Sequence, residues 1–326
     1  MKIQGLSKEL APIMIGTSSA LFADETTPWI PTTLTKEEQF LVIDELWDMG
    51  LHCFDCAAGY GERTLGEYLK SRNRTEDAVI LTKGCHPNPY RKRVTSFDLL
   101  SDFHDSLAKL NRNYIDIYML HRDDETVPVS EIIPTLDKLK KEGKIGIYGA
   151  SNWTMERFME ANAFAEANGL EPFRAVSPHY SLAHQINDPW GGGISLTGPE
   201  HKSDREWLIK NQIPVFAYSS MSCGFISGMF RSTEKEKALE LLSPPGKKGY
   251  YAEENFERLA RAEQLAEKYN VTVAQIAMAW LFSQELTVIP LQGGENAGMY
   301  RQTLNSASIP LSSQEVSWLN LEEGTN

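Results

Sequence analysis

The sequence predicts an α/β fold of the (β/α)8 TIM-barrel type, a parallel eight-stranded barrel with long βα loops at its C-terminal face. Three observations carry that expectation. Eight short apolar, β-rich runs recur along the 326 residues, and amphipathic helical patterns fill the intervals between them. No Pro/Gly/Ser-rich linker interrupts the alternation, so one domain over residues 1–326 describes the chain better than two.

The strand expectations are Pro12–Gly16, His52–Ala57, Val79–Lys83, Ile115–Leu120, Ile145–Ala150, Arg174–Ser177, Pro214–Tyr218 and Thr287–Pro290. Helical patterns cover Lys36–Met49, Phe97–Leu110, Val129–Lys141, Met155–Ala167, Asp204–Lys210, Glu253–Tyr269 and Val273–Gln284. Ser96, and Ser151 or Thr154, precede helices as N-caps, while Gly50, Gly143 and Gly169 sit just past helix ends. Two connections exceed the usual βα length: Thr17–Thr33 after the first strand and His184–Lys202 after the sixth. Both leave carboxyl ends of strands, the face where barrel enzymes place their sites. The Gly191-Gly192-Gly193 run in the second neither follows a strand directly nor opens a helix, so it is not a phosphate-binding fingerprint.

Composition narrows the function. Apolar residues make up 41%, enough for a sizeable core. Acidic residues outnumber basic ones 44 to 32, a formal charge of −12 that repels nucleic-acid phosphates while leaving room for one local dinucleotide pocket. No run approaches the ~20 apolar residues of a membrane span, and the N-terminus does not read as a signal peptide, so a cytoplasmic protein is expected. Oligomeric state is not legible. Cys53 and Cys56 form a C-x-x-C, but on a strand-like segment that puts them on opposite faces, which argues against a redox or zinc role.

The chemistry gathers at strand ends. Asp55 ends the second strand, Tyr60 follows by five residues, Lys83 ends the third and His121 ends the fourth. Neighbouring strand ends converge in a barrel, so the four side chains can meet. Together they suit reduction of a carbonyl. Hydride addition leaves an alkoxide that needs a proton. A tyrosine is a sluggish acid near neutrality; a nearby ammonium held by an aspartate stabilises its phenolate, and a neutral histidine can orient the substrate oxygen.

The run Phe54-Asp55-Cys56-Ala57-Ala58-Gly59-Tyr60-Gly61, then Thr64-Leu65-Gly66, resembles the aldo-keto reductase signature, with Lys83 and His121 where that family's catalytic lysine and histidine fall. Gly149-Ala150-Ser151-Asn152 is similar to the segment whose Ser and Asn hold the nicotinamide carboxamide. Phe216-Ala217-Tyr218-Ser219 resembles the segment whose tyrosine stacks on the nicotinamide and whose serine meets the pyrophosphate. The resemblance runs from about Ile15 to Leu311 and implies Tyr60 as proton donor, with Ser151, Asn152, Tyr218, Ser219 and Gln292 as cofactor residues. Ser177 stands where the family carries a glutamine that also holds the carboxamide, and Ser220 and Met221 replace a proline and a leucine. After the last strand the slot of the arginine that pairs with the 2′-phosphate of NADP falls near Met299, with Arg301 two residues on and Glu295 nearby. The displaced arginine and Glu295 point toward NAD(H), while the resemblance as a whole implies NADP(H); NADP(H) is slightly favoured and NAD(H) stays open.

Trp29, His86, Arg122 and Trp190, with Tyr90, lie on loops expected to face a small-molecule carbonyl substrate, and aromatics mixed with polar groups suit a polar one. Two other readings stand beside the reductase. One is a cofactor-sensing regulatory subunit with slow turnover, like the potassium-channel β subunits of the same fold. The other is a hydrolase pairing Asp55 with Asp123 or Asp124, which leaves Lys83 and Tyr60 without a role.

Overall fold

The computed structural model describes residues 1–322. Among them, eight parallel strands close into a barrel in chain order. They are β1 (Met14–Gly16), β2 (Cys53–Asp55), β3 (Val79–Gly84), β4 (Ile115–Leu120), β5 (Ile145–Ser151), β6 (Val176–Ser177), β7 (Val215–Ala217) and β8 (Val288–Gln292). The chain divides into two compact units: Met1–Ser177 with Gly293–Ala297, and Pro178–Gln292 with the described residues from Gly298 on.

The first unit holds β1 to β6 and five helices: α1 (Lys36–Asp48), α2 (Glu62–Ser71), α3 (Ser96–Leu110), α4 (Val129–Lys141) and α5 (Met155–Ala167). β3 and β4 are buried along their whole length, as parallel strands covered on both faces must be. Their register sets Lys83 beside Met119 and Gly84 beside Leu120, so the carboxyl ends of the two strands finish level. Asp116, buried inside β4, is compensated by the Ile80 N–H at 3.0 Å and by Arg112 at 3.2 Å.

The cap of α3 is Thr95 rather than Ser96: the Thr95 hydroxyl accepts the Asp98 N–H, and Ser96 already lies inside the helix. Thr154 caps α5, and Ser151 belongs to β5 instead. Gly50, Gly143 and Gly169 stand past helix ends with positive φ, as expected. α2 starts differently. Its N-cap, Gly61, is left-handed with φ 74° and offers no side-chain cap. A Cβ there would sit 2.1 Å from the Thr17 Oγ1. Only glycine allows that approach.

The second unit holds β7 and β8, paired with Phe216 beside Ile289. Its helices are α6 (Lys202–Lys210), α7 (Lys235–Leu241), α8 (Pro244–Tyr250), α9 (Glu253–Tyr269), α10 (Val273–Phe282), α11 (Ala297–Leu304) and α12 (Ser313–Leu319). Capping boxes open α10 (Thr272 with Gln275) and α12 (Ser312 with Glu315), each worth roughly 1 kcal/mol. The long loop after β6 is pinned to α9. Asn255, fully buried, accepts from the His184 N–H and donates to the His184 carbonyl, both at 2.8 Å. Among the described residues, no helix is long and apolar enough to cross a membrane.

Candidate active site

The site grows from the ends of β2, β3 and β4 in the first unit. Asp55 and Lys83 are the last and next-to-last residues of β2 and β3, both buried, and the Lys83 ammonium donates to the Asp55 carboxylate. A second Lys83 bond, 3.1 Å, goes to the Cys56 carbonyl and fixes the direction of the side chain. Thr17, just past β1, braces the same place: its N–H and hydroxyl reach the Asp55 carbonyl at 2.9 and 3.1 Å. Burial works against the Lys83 ammonium, yet Asp55 and then Tyr60 hold its pKa above the usual lysine range. Burial pushes the Asp55 carboxyl up against the pull of Lys83.

Tyr60 follows on a tight turn, its N–H on the Ala57 carbonyl at 3.0 Å, with Gly61 opening α2 behind it. Burial pushes its phenol up to about 12, and the Lys83 charge acts in the opposite direction. The expected lowering is thus present but smaller than the desolvation of the phenolate. His121, one residue beyond β4, presents its ring edge to Tyr60 with centroids 6.1 Å apart. Burial first, then Lys83, His86 and Arg122, pull its pKa well below the ordinary histidine value, so the imidazole is neutral. Its Nδ1 is buried and, among the described residues, has no hydrogen-bond partner. The four residues singled out in the sequence therefore form one cluster.

Two of the loop residues join it. The His86 ring packs edge-on against His121, centroids 4.8 Å apart, its Nδ1 donating to the Pro87 carbonyl at 2.9 Å. Arg122 donates to the His121 carbonyl at 3.1 Å. Trp29 and Tyr90 stand exposed, at 61% and 92%. Asp123 is held through Oδ2 by Arg157 at 3.2 Å, and among the described residues its Oδ1 has no hydrogen-bond partner.

Ser151 ends β5 in the same unit, and Asn152 follows it directly. The Ser151 hydroxyl donates to the Ser177 carbonyl at 2.8 Å, and the Asn152 amide donates to Ser151 Oγ at 2.9 Å and to the His121 carbonyl at 3.3 Å. Asn152 is left-handed, φ 58°. In the second unit, Tyr218 follows β7 and donates to the Ile194 carbonyl at 3.3 Å. Behind it Ser219, Ser222, Cys223 and Gly224 all have positive φ, and the segment 218–224 carries no acidic side chain. Buried hydroxyls and amides in one segment, and hydroxyls on a left-handed backbone free of carboxylates in the other, suit an amide ring and a phosphate respectively.

The Gln292 side chain is taken up within the second unit: its oxygen accepts from Thr303 at 2.6 Å and its nitrogen donates to the Met299 carbonyl at 3.2 Å. Arg301 is exposed on α11. Trp190 is half exposed and donates its backbone N–H to Asp188 at 2.9 Å.

Sequence reasoning did not pick out Thr17 or Asp102. Asp102 accepts the N–H of Cys85, a left-handed residue at the end of β3, at 2.8 Å. Neither belongs to a spaced motif; each acts on a backbone atom far away in the chain, which only the fold brings near.

A parallel barrel with a buried lysine–aspartate pair beside a half-buried tyrosine and histidine at its strand ends defines a barrel enzyme of the oxidoreductase class. The aldo/keto reductase family model matches residues 12–320, and the chain belongs to that family. Similar curated proteins include an aryl-alcohol dehydrogenase of Pestalotiopsis microspora, 26% identical over 86% of this chain and 71% of its own length. An NADP(+) aldo-keto reductase of Schizosaccharomyces pombe is 26% identical over 86% and 81%. An NADP(+) aryl-alcohol dehydrogenase of Phanerodontia chrysosporium is 24% identical over 97% and 83%. The crystal structure of a thermostable aldo-keto reductase with the inhibitor epalrestat superposes with a TM-score of 0.72 at 21% identity, covering 99% of both chains.

Proposed function

We propose that this oxidoreductase reduces a small-molecule aldehyde or ketone to an alcohol, with Tyr60 as the proton donor and NADPH as the favoured cofactor. The observation that carries the reading is the buried Lys83–Asp55 pair whose charge reaches the half-buried Tyr60 phenol beside a neutral His121. NADPH is preferred over NADH because the similar reductases of Schizosaccharomyces pombe and Phanerodontia chrysosporium carry NADP(+) in their names. Ser151 and Asn152 would hold the nicotinamide amide, and Tyr218 and Ser219 its ring and the pyrophosphate. When bound, the cofactor supplies the hydride.

The chain's own residues do the rest. Tyr60 gives its proton to the carbonyl oxygen as charge builds there, and the phenolate left behind is stabilised by the Lys83 ammonium. Asp55 keeps that lysine charged and aimed. His121, neutral because it is buried, hydrogen-bonds to the same oxygen and fixes its direction without competing for the proton. His86 and Arg122 on the β3 and β4 loops, and Trp29 and Trp190 on the two long connections, are the residues assigned to the substrate.

Replacing Tyr60 by Phe removes the acid and keeps the ring. Turnover with a generic aldehyde is expected to fall by roughly 10²–10⁴, with the dissociation constant for NADPH little changed. A Phe variant that reduces aldehydes at the wild-type rate rules Tyr60 out.

A further inference from the structure

The loops that follow β3 and β4 are rich in charge, and nearly every charge in them is answered. Arg91 pairs with Asp98 at 2.6 Å, Arg93 with Asp102 at 2.5 Å and Lys92 with Asp124 at 3.9 Å. Asp123 pairs with Arg157 at 3.2 Å, and Asp124 also takes the N–H and hydroxyl of Thr126. Arg122, between His121 and these two acids, is a cation that is not answered. It is half-buried, its Nη1 donates to the His121 carbonyl, and among the described residues no carboxylate pairs with it. Both neighbouring acids are drawn off to other cations.

A guanidinium is charged at every relevant pH and presents a planar fork of donors matched to a carboxylate. One bond to a backbone carbonyl uses little of that capacity. The chain as a whole carries −12 and repels small anions, so an anionic substrate needs a local positive group to meet it. The Arg122 charge is felt by the His121 imidazole, the group assigned to the substrate oxygen.

We propose that Arg122 selects carbonyl compounds that carry a carboxylate, its guanidinium receiving that group beside His121. A carboxylate fits better than a phosphate, since a single guanidinium balances one negative charge and would leave a dianion half uncompensated. The assignment rests on the carbonyl-reductase reading and names its substrate class.

The test uses matched pairs: ortho-, meta- and para-carboxybenzaldehyde, each against its methyl ester, with NADPH. The wild type should prefer the acid for at least one isomer, and added salt should erode the preference as it screens the pair. Arg122→Gln should lower the acid-to-ester ratio of kcat/KM by roughly 10-fold to 100-fold, the range for a hydrogen bond to a charged group, and Arg122→Lys should keep part of it. The ratio is measured within one variant, so a general loss of folded protein does not move it. A preference for the ester at all three positions, or an unchanged ratio in Arg122→Gln, overturns the proposal while leaving the reductase reading intact. A loss of NADPH affinity matching the loss with the acid would give the guanidinium to the cofactor and also overturn it. No turnover with any aldehyde would sink the reductase reading, and this one with it.

Discussion

Lys83 is the residue on which the cluster turns, because it serves Tyr60 by charge and Asp55 by neutralising a buried carboxylate. Those two duties can be separated. Lys83→Met is expected to cost about 10²-fold or more in turnover, since the phenolate loses its stabilising cation. It should also destabilise the fold by roughly 3–5 kcal/mol, because Asp55 is left buried and uncompensated. Adding Asp55→Asn removes that orphaned charge, so the double variant should recover stability and not rate. Thermal melts beside steady-state kinetics on the three proteins decide it; rate returning with stability would make Lys83 a structural residue only. The four site residues were legible in the sequence because each sits at a fixed offset from a strand end. Thr17 and Asp102 were not, since their work is done on backbone atoms 38 and 17 residues away.

At the scale of the element, the joint between β2 and α2 carries the strictest demand. Gly61 is left-handed, and a Cβ on it would meet the Thr17 side chain at 2.1 Å and its carbonyl at 2.9 Å. Thr17 in turn holds the Asp55 carbonyl. Gly61→Ala should therefore displace Tyr60 on one side and the Asp55 brace on the other. We expect a loss of about 1–3 kcal/mol in stability and near 10²-fold in turnover, as for a misplacement of the order of an ångström. Wild-type kinetics in that variant would show the approach to be loose. The same joint explains what the sequence did not reveal. A helix that begins on a left-handed glycine has no Ser, Thr or Asp to announce it, so α2 went unseen while α1 and α5 were found. The long buried runs of β3 and β4 were read nearly to the residue; β6 and β7 are shorter than their apolar runs because pairing, not apolarity, ends a strand. α7 and α8, seven residues each, are too short to show a period.

For the molecule as a whole, acid is the condition that should expose its weak side. Burial lowers His179 and His184 from 6.5 to about 3. His179 is held between the hydroxyls of Ser195 and Ser181, and His184 lies against Arg258. A base with a depressed folded pKa binds its proton in the unfolded chain first, so its contribution is complete above pH 6.5 and drains away as pH falls toward 3. The slope is about 1.4 kcal/mol per pH unit for each histidine. Denaturant midpoints between pH 7 and pH 4 should fall accordingly, and His179→Gln with His184→Gln should flatten the decline; an equally steep decline in the double variant would place the acid sensitivity elsewhere. The thiols tell a related story. Cys53, Cys56 and Cys85 are buried, Cys223 is partly so, and burial raises the pKa of all four, that of Cys53 to about 11. Alkylating reagents and peroxide attack the thiolate, so the closed protein offers them almost nothing to attack. Each cysteine then becomes a silent gauge of the segment around it: the rate at which it is labelled reports how often that segment opens, with no probe added and no residue changed.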